Sequence, residues 1–209
     1  MLSMFRFFHF LFASEKERTL KKWEKAGRPV PPPHYVKQKA IEEYQSATGF
    51  SILVETGTFK GDMVFAQKDR FEHIYSIELS QKLYEDAQKR FQQNKNVSIL
   101  QGDSGKVLQA LIKEIKKPAI FWLDGHYSAG ETAKGEKECP IYEELSAIFS
   151  TPNPGHIILI DDARCFNGTG DYPTIDALTT FIKQKDPGYT VSVKDDLIRF
   201  TLPRHHENT

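Results

Sequence analysis

The chain has 209 residues, carries 28 Lys and Arg against 28 Asp and Glu, and contains two cysteines. A chain of this length buries one full core, and its zero formal charge gives no electrostatic reason to expect nucleic acid as a partner. Cys139 and Cys165 are too few and too scattered for a disulfide framework or a zinc cluster, which points to a reducing, cytoplasmic compartment.

Residues 1–12, MLSMFRFFHFLF, are aromatic and apolar. They are too short to span a bilayer and lack a signal-cleavage site. Packing against the domain or a second subunit, as in a homodimer, is favoured over a membrane interface, because residues 14–18 (SEKER) are mixed in sign rather than basic. Four prolines within residues 28–33 (RPVPPP) break any helix and hold the chain extended. Residues 36–47 then read as a helix with Val36, Ala40, Ile41 and Tyr44 on one face. Residues 1–50 are expected as an N-terminal unit of aromatic segment, proline-rich stretch and cap helix, in which 13–50 cap the cofactor or acceptor cleft of a domain spanning 51–209; a proline-rich ligand for a partner protein is the competing reading.

Residues 52–61, ILVETGTFKG, are an apolar strand that ends in Glu55 and runs through Gly57 and Gly61 into a helix-like stretch. Such a turn brings bare backbone and a carboxylate to one edge of a sheet, where a nucleotide-like ligand can lie. Glycines also mark ordinary turns, so the later strands matter. His73 to Ile77 ends in Glu78, about twenty residues beyond the glycines, where nucleotide-binding α/β domains place an acid that grips ribose hydroxyls. Val97 to Leu100 runs into Asp103 and Ser104, Ala119 to Leu123 into Asp124 and His126, and His156 to Ile160 into Asp161 and Asp162. Solvated loops explain one acid after a strand far better than acids after all of these strands, and ligands of open parallel sheets bind outside the carboxyl ends.

Helices are expected over 61–70, 80–93, 104–117, 140–149 and 173–185, with Ser80 and Ser104 as N-caps and Pro140 and Pro173 in first turns. Val107, Leu108, Leu111, Ile112 and Ile115 form a helical apolar stripe, read as core. Residues 189–193 and 197–202 flank Lys194, Asp195 and Asp196 as a hairpin. The expected fold class is therefore α/β: a Rossmann-like, seven-stranded, mostly parallel sheet with helices on both faces and a terminal antiparallel hairpin.

The order and content of these motifs resemble the class I S-adenosylmethionine-dependent methyltransferases over roughly residues 50–202. The spacing E-x-G-x-x-x-G from Glu55 to Gly61 is similar to that family's first motif and departs from the G-x-G-x-x-G of NAD-binding folds. The resemblance implies that Glu55, Thr56, Gly57, Thr58 and Gly61 cradle the methionine part of S-adenosyl-L-methionine. It also implies that Glu78 holds the ribose, and that Asp103 and Ser104 face the adenine. Asp124 with Asp161 and Asp162 looks like the metal site of catechol-type and macrolide-sugar O-methyltransferases, which implies Mg2+ or Mn2+, and Asp124 is placed at the cofactor as well. Oxygen ligands of this kind suit a hard dication. His126 stands where the sugar-methylating relatives usually carry an aspartate base; base, metal ligand and purely structural residue are the readings open to it. Asp124 and His126 form the expected catalytic pair.

Residues 127–139 and 164–172 follow the fourth and fifth strands and are expected to bind the acceptor, through Tyr127, Lys134, Glu138, Arg164, Phe166 and Tyr172; a plain surface loop is the alternative for the first of them. Aromatic rings stack on the apolar side of a pyranose and equally on a catechol. The leading expectation is a metal-dependent O-methyltransferase for a sugar hydroxyl of a carbohydrate acceptor, with a deoxyhexose such as rhamnose as an example. A phenol or catechol O-methyltransferase and a non-catalytic cofactor-binding module are the alternatives.

Overall fold

The computed structural model describes residues 15–125 and 138–203. Its order is helix α1 over 15–25, α2 (His34–Thr48), β1 (Ile52–Thr56), α3 (Asp62–Gln67), β2 (His73–Glu78), α4 (Gln81–Phe91), β3 (Val97–Gln101) and α5 (Ser104–Leu111). Then come β4 (Ala119–Leu123), α6 (Ile141–Ile148), β5 (Ile157–Ile160), a short 3-10 turn (Ala163–Cys165), α7 (Ile175–Lys185), β6 (Thr190–Lys194) and β7 (Leu197–Thr201). The seven strands form one sheet in the order β3-β2-β1-β4-β5-β7-β6. The first five are parallel, and β7 runs antiparallel between β5 and β6. The expected seven-stranded α/β sheet with a terminal hairpin is the one observed.

Burial follows from the pleat. Every residue of β4 is buried, and its side chains alternate between two cores: Ala119, Phe121 and Leu123 on one side, Ile120 and Trp122 on the other. The first core is completed by Leu108, Leu111, Ile112 and Ile115, so the stripe read from the sequence does face inward. The second core includes Ala40 and Ile41 of α2 beside Leu53, Val64 and Leu159, so the cap helix is packed into the same core as the sheet. Burying one such side chain stabilises by about 1.5–3 kcal/mol.

The hairpin turn is closed by Asp195 and Asp196, both at positive φ (54° and 61°), the pair of left-handed residues that a two-residue turn between twisted strands requires. Ser80 caps α4 as expected, its hydroxyl accepting from the Leu83 amide. α5 is capped by Asp103 rather than Ser104, with the Asp103 side chain accepting from the Lys106 amide. Pro140 and Pro173, expected in first turns, stand before their helices instead: Pro140 at the cap position of α6, and Pro173 one residue before Thr174, which caps α7.

Candidate active site

Parallel pairing aligns the ends of β2, β1, β4 and β5 along one edge, and the acids collect there. Register sets Thr56 beside Ile77 and Leu123, and Leu123 beside Ile160, so Glu78, the last residue of β2, lies at the same edge as Asp124 and Asp161, which each begin the turn beyond their strands. The β1 turn and the β4 turn touch closely. A Cβ on Gly57, whose φ is +83°, would lie 2.4 Å from the Asp124 carbonyl oxygen, so only glycine fits. The Asp124 amide donates to the Thr56 carbonyl and to the Thr56 hydroxyl, each at 3.2 Å, which fixes the one turn against the other.

Glu78 holds the glycine turn from the other side. Its two carboxylate oxygens accept from the amides of Phe59 and Ser80, each at 2.8 Å. Each oxygen keeps a further lone pair, so the carboxylate is oriented without being used up. Phe59 is 40% exposed with φ of +48°, so a left-handed, non-glycine residue forms the open rim of this turn.

Glu55 departs from its expected place. It is buried beneath the turn and accepts from the Ser76 hydroxyl, which lies 2.6 Å from the hydroxyl of Thr58. Burial raises its pKa to about 8, helped by the nearby charge of Glu78 and opposed by the Ser76 hydrogen bond. Thr56 and Thr58 are buried with it. These three side chains lie beneath the loop, whose turn is made by Gly57 and Gly61, both at positive φ. Asp103 and Ser104 are also engaged with protein groups: Asp103 caps α5, and the Ser104 hydroxyl donates to Glu144 at 2.6 Å.

The acid cluster beyond β4 and β5 contains a residue that the sequence reading passed over. Lys37, in the first turns of α2, reaches across to the strand ends and donates to Asp161 Oδ2 at 2.5 Å and to Asp162 Oδ1 at 3.2 Å. Asp162 adopts the left-handed conformation, φ 55°, with its amide on Asp161 Oδ1 at 2.8 Å. Arg164 adds a second cation, donating to Asp162 Oδ1 at 2.8 Å and to Asp196 of the hairpin turn. Burial works to lower the pKa of Lys37, but the charges of Asp161, Asp162 and Asp124 outweigh it, so the group stays an ammonium. Burial, then the charge of Asp161, pushes Asp124 well above the usual carboxylate range.

The donor types of Asp124, Asp161 and Asp162 suit a hard dication, but their arrangement does not. Asp161 Oδ2 and Asp162 Oδ1 face the Lys37 ammonium. Among the described residues no group of three His, Cys, Asp or Glu is set to hold a metal ion. A dication and an ammonium about 4 Å apart repel by roughly 8 kcal/mol at an effective dielectric of about 20, so one must leave for the other to enter.

Of the expected acceptor residues, Arg164 is held by two carboxylates and Phe166 is buried in the core, edge-on to Tyr172 at 5.6 Å. Phe166 therefore offers no face to a ligand, because its ring completes the packing beneath the loop. Tyr172 is half-buried, and burial raises its pKa. The Glu138 amide donates to Asp171 at 2.8 Å, tying together the two loops expected to bind the acceptor. His126, Tyr127 and Lys134 lie outside the described residues, as do residues 1–12. No helix among the described residues is long and apolar enough to cross a membrane.

No family model and no curated protein matches the sequence. Solved structures do resemble the fold. An O-methyltransferase from Bacillus cereus in complex with SAH superposes with a TM-score of 0.60 at 16% identity, covering 91% of each chain. The O-methyltransferase TomG from Streptomyces achromogenes, involved in tomaymycin synthesis and in complex with SAM, gives 0.58 at 14% identity over 90% of this chain and 88% of that one. A putative caffeoyl-CoA O-methyltransferase from Staphylococcus aureus gives 0.57 at 13% identity over 95% of this chain and 98% of that one. The sheet order and these superpositions together identify the chain's fold as that of the class I S-adenosylmethionine-dependent methyltransferases.

Proposed function

We propose that this chain is an S-adenosylmethionine-dependent O-methyltransferase that methylates a sugar hydroxyl. The observation that carries the reading is the adjacency of two features on one sheet edge. The glycine turn with Glu78 forms a polar cradle suited to a nucleoside, and the charged cluster of Lys37, Asp124, Asp161, Asp162 and Arg164 lies at the neighbouring strand ends. The Bacillus and Streptomyces relatives, in complex with SAH and SAM, support the choice of methyl donor.

In the reaction a hydroxyl oxygen attacks the sulfonium methyl; the new C–O bond forms as the S–C bond breaks, and sulfur is left as a neutral thioether. The hydroxyl proton needs an acceptor. His126, two residues beyond Asp124, is our candidate base, since a neutral imidazole is a suitable acceptor near pH 7. Glu78 orients the donor through the ribose, and the turn at Gly57 admits the methionine part close to the backbone. The polar character of the described wall, with Lys37, Asp162 and Arg164, favours a polyhydroxyl acceptor over a flat phenol, which with Phe166 buried has fewer rings to lie against. A metal ion is not assigned a step, because Lys37 faces the oxygens it would use.

The test is incubation with S-adenosylmethionine and a panel of saccharides and catechols, read by mass for a methyl increment and by NMR for its position. Methylation of a saccharide is expected; preferential methylation of catechols would move the acceptor class, and failure to bind SAH would remove the donor assignment. Glu78→Ala should weaken SAH binding by roughly tenfold or more in calorimetry, as ribose hydroxyls lose a charged acceptor. His126→Ala should lower turnover about a hundredfold with SAH affinity retained. Unchanged turnover would take the base role from His126.

A further inference from the structure

We propose that Lys37 is the resident cation of the Asp124–Asp161–Asp162 cluster and keeps a divalent metal out of it. The charge is supplied from the cap helix to acids 124 and 125 positions further along the chain. The side chain is not a surface lysine that happens to lean inward. Only 13% of it is exposed, and Asp161, its nearer partner, is fully buried. Its helix is anchored on the same side: Ala40 and Ile41, three and four residues on, are core residues, and the Gln67 side chain donates to the Gln38 carbonyl at 3.0 Å. Lys37 is therefore delivered to the cluster by the packing of α2 on the sheet.

Asp161 accepts from Lys37 on one oxygen and from the Asp162 amide on the other, while Asp162 accepts from Lys37 and Arg164 on a single oxygen. An ammonium is a compact charge that presents three N–H donors, and here two of them bridge successive carboxylates much as a metal ion would. A dication coordinates carboxylate oxygens at about 2.0–2.6 Å and would have this ammonium as a competing charge beside them. Occupation by Lys37 and by metal is thus exclusive. An acceptor hydroxyl approaching this edge meets an ammonium that belongs to the chain.

The inference goes beyond the proposed reaction and does not depend on the acceptor class. The experiment is a Mn2+ titration of the full chain with SAH bound, followed by calorimetry and by the electron paramagnetic resonance signal of free Mn2+. Wild type should show no saturable binding in the range where the variants bind. Lys37→Met, which keeps the stem and removes the charge, should bind Mn2+ at least tenfold more tightly, and Lys37→Arg should behave as wild type. Lys37→Gln gives a second uncharged reading if the Met variant does not fold, with retained SAH binding as the check on folding. Wild-type binding of Mn2+ within threefold of the uncharged variants overturns the proposal, as does the absence of any gain in them. Because metal binding, SAH binding and methyl transfer are scored separately, a chain that gains Mn2+ binding without Lys37 yet methylates nothing keeps this inference and loses the proposed function.

Discussion

Glu55 lies beneath the glycine turn with its carboxyl on the Ser76 hydroxyl, and burial raises its pKa from 4.5 to about 8. Between those values the folded chain holds a proton there that the unfolded chain has released. The contribution of this group to stability is therefore fully present below about pH 4.5 and is lost as pH rises toward 8, by at most about 1.4 kcal/mol per unit. Glu55→Gln keeps the Ser76 contact and has nothing to titrate. Urea unfolding at several pH values from about 5 to 8 should show the variant gaining on wild type as pH rises; a constant difference would mean that Glu55 is ionised in the fold. The sequence shows an acid at the end of a strand, which is equally the pattern for an acid that faces a ligand and for one turned under its loop. Register decides between them, because β1 pairs Glu55 with Ser76, two residues before Glu78. Lys37 was hidden for a related reason: a lysine on an amphipathic helix reads as solvated, and its partners lie 124 residues away. Phe166 reads as an exposed loop aromatic until the fold of the β5 loop closes over it.

At the scale of elements the strands were the most legible part. Their apolar runs are bounded by glycine, asparagine, proline and acids, and a strand buried on both faces tolerates little else. Helix ends were less so. The stretch expected to be helical over 104–117 is α-helical only to Leu111, after which the Lys113, Glu114 and Ile115 amides donate three residues back, to Ala110, Leu111 and Ile112. The tighter winding still turns Ile112 and Ile115 inward, so the apolar stripe survives the loss of α geometry. Turns carry the site, and their requirements are local. Gly57→Ala places a methyl on the Asp124 carbonyl at a φ that alanine disfavours, so the β1 and β4 turns must separate. The expected outcome is a loss of SAH affinity of tenfold or more together with a lowered melting temperature. Wild-type affinity in this variant would show that the β1 turn does not approach the cofactor.

Across the whole molecule the charged cluster is joined to three separate parts of the chain. Lys37 brings the cap helix, Arg164 the loop after β5, and Asp196 the turn of the hairpin, so α2, the parallel strands and the antiparallel pair meet at one place. Beneath it Ile41 is fully buried against the same core as Leu53, Val64 and Trp122. A cap that shares both a charge cluster and a core with the sheet should not unfold by itself. Thermal or urea unfolding is therefore expected as one transition, seen alike by the fluorescence of Trp23, on α1 of the cap, and of Trp122, within the sheet, when each is kept singly. Ile41→Ala should lower stability by about 2–5 kcal/mol without splitting that transition. SAH at a hundredfold excess over its dissociation constant should raise stability by about 2.7 kcal/mol for both probes together. If Trp23 reports an earlier transition that SAH does not move, the cap is a separate unit, and the contact between Lys37 and the acids does not bind it to the sheet.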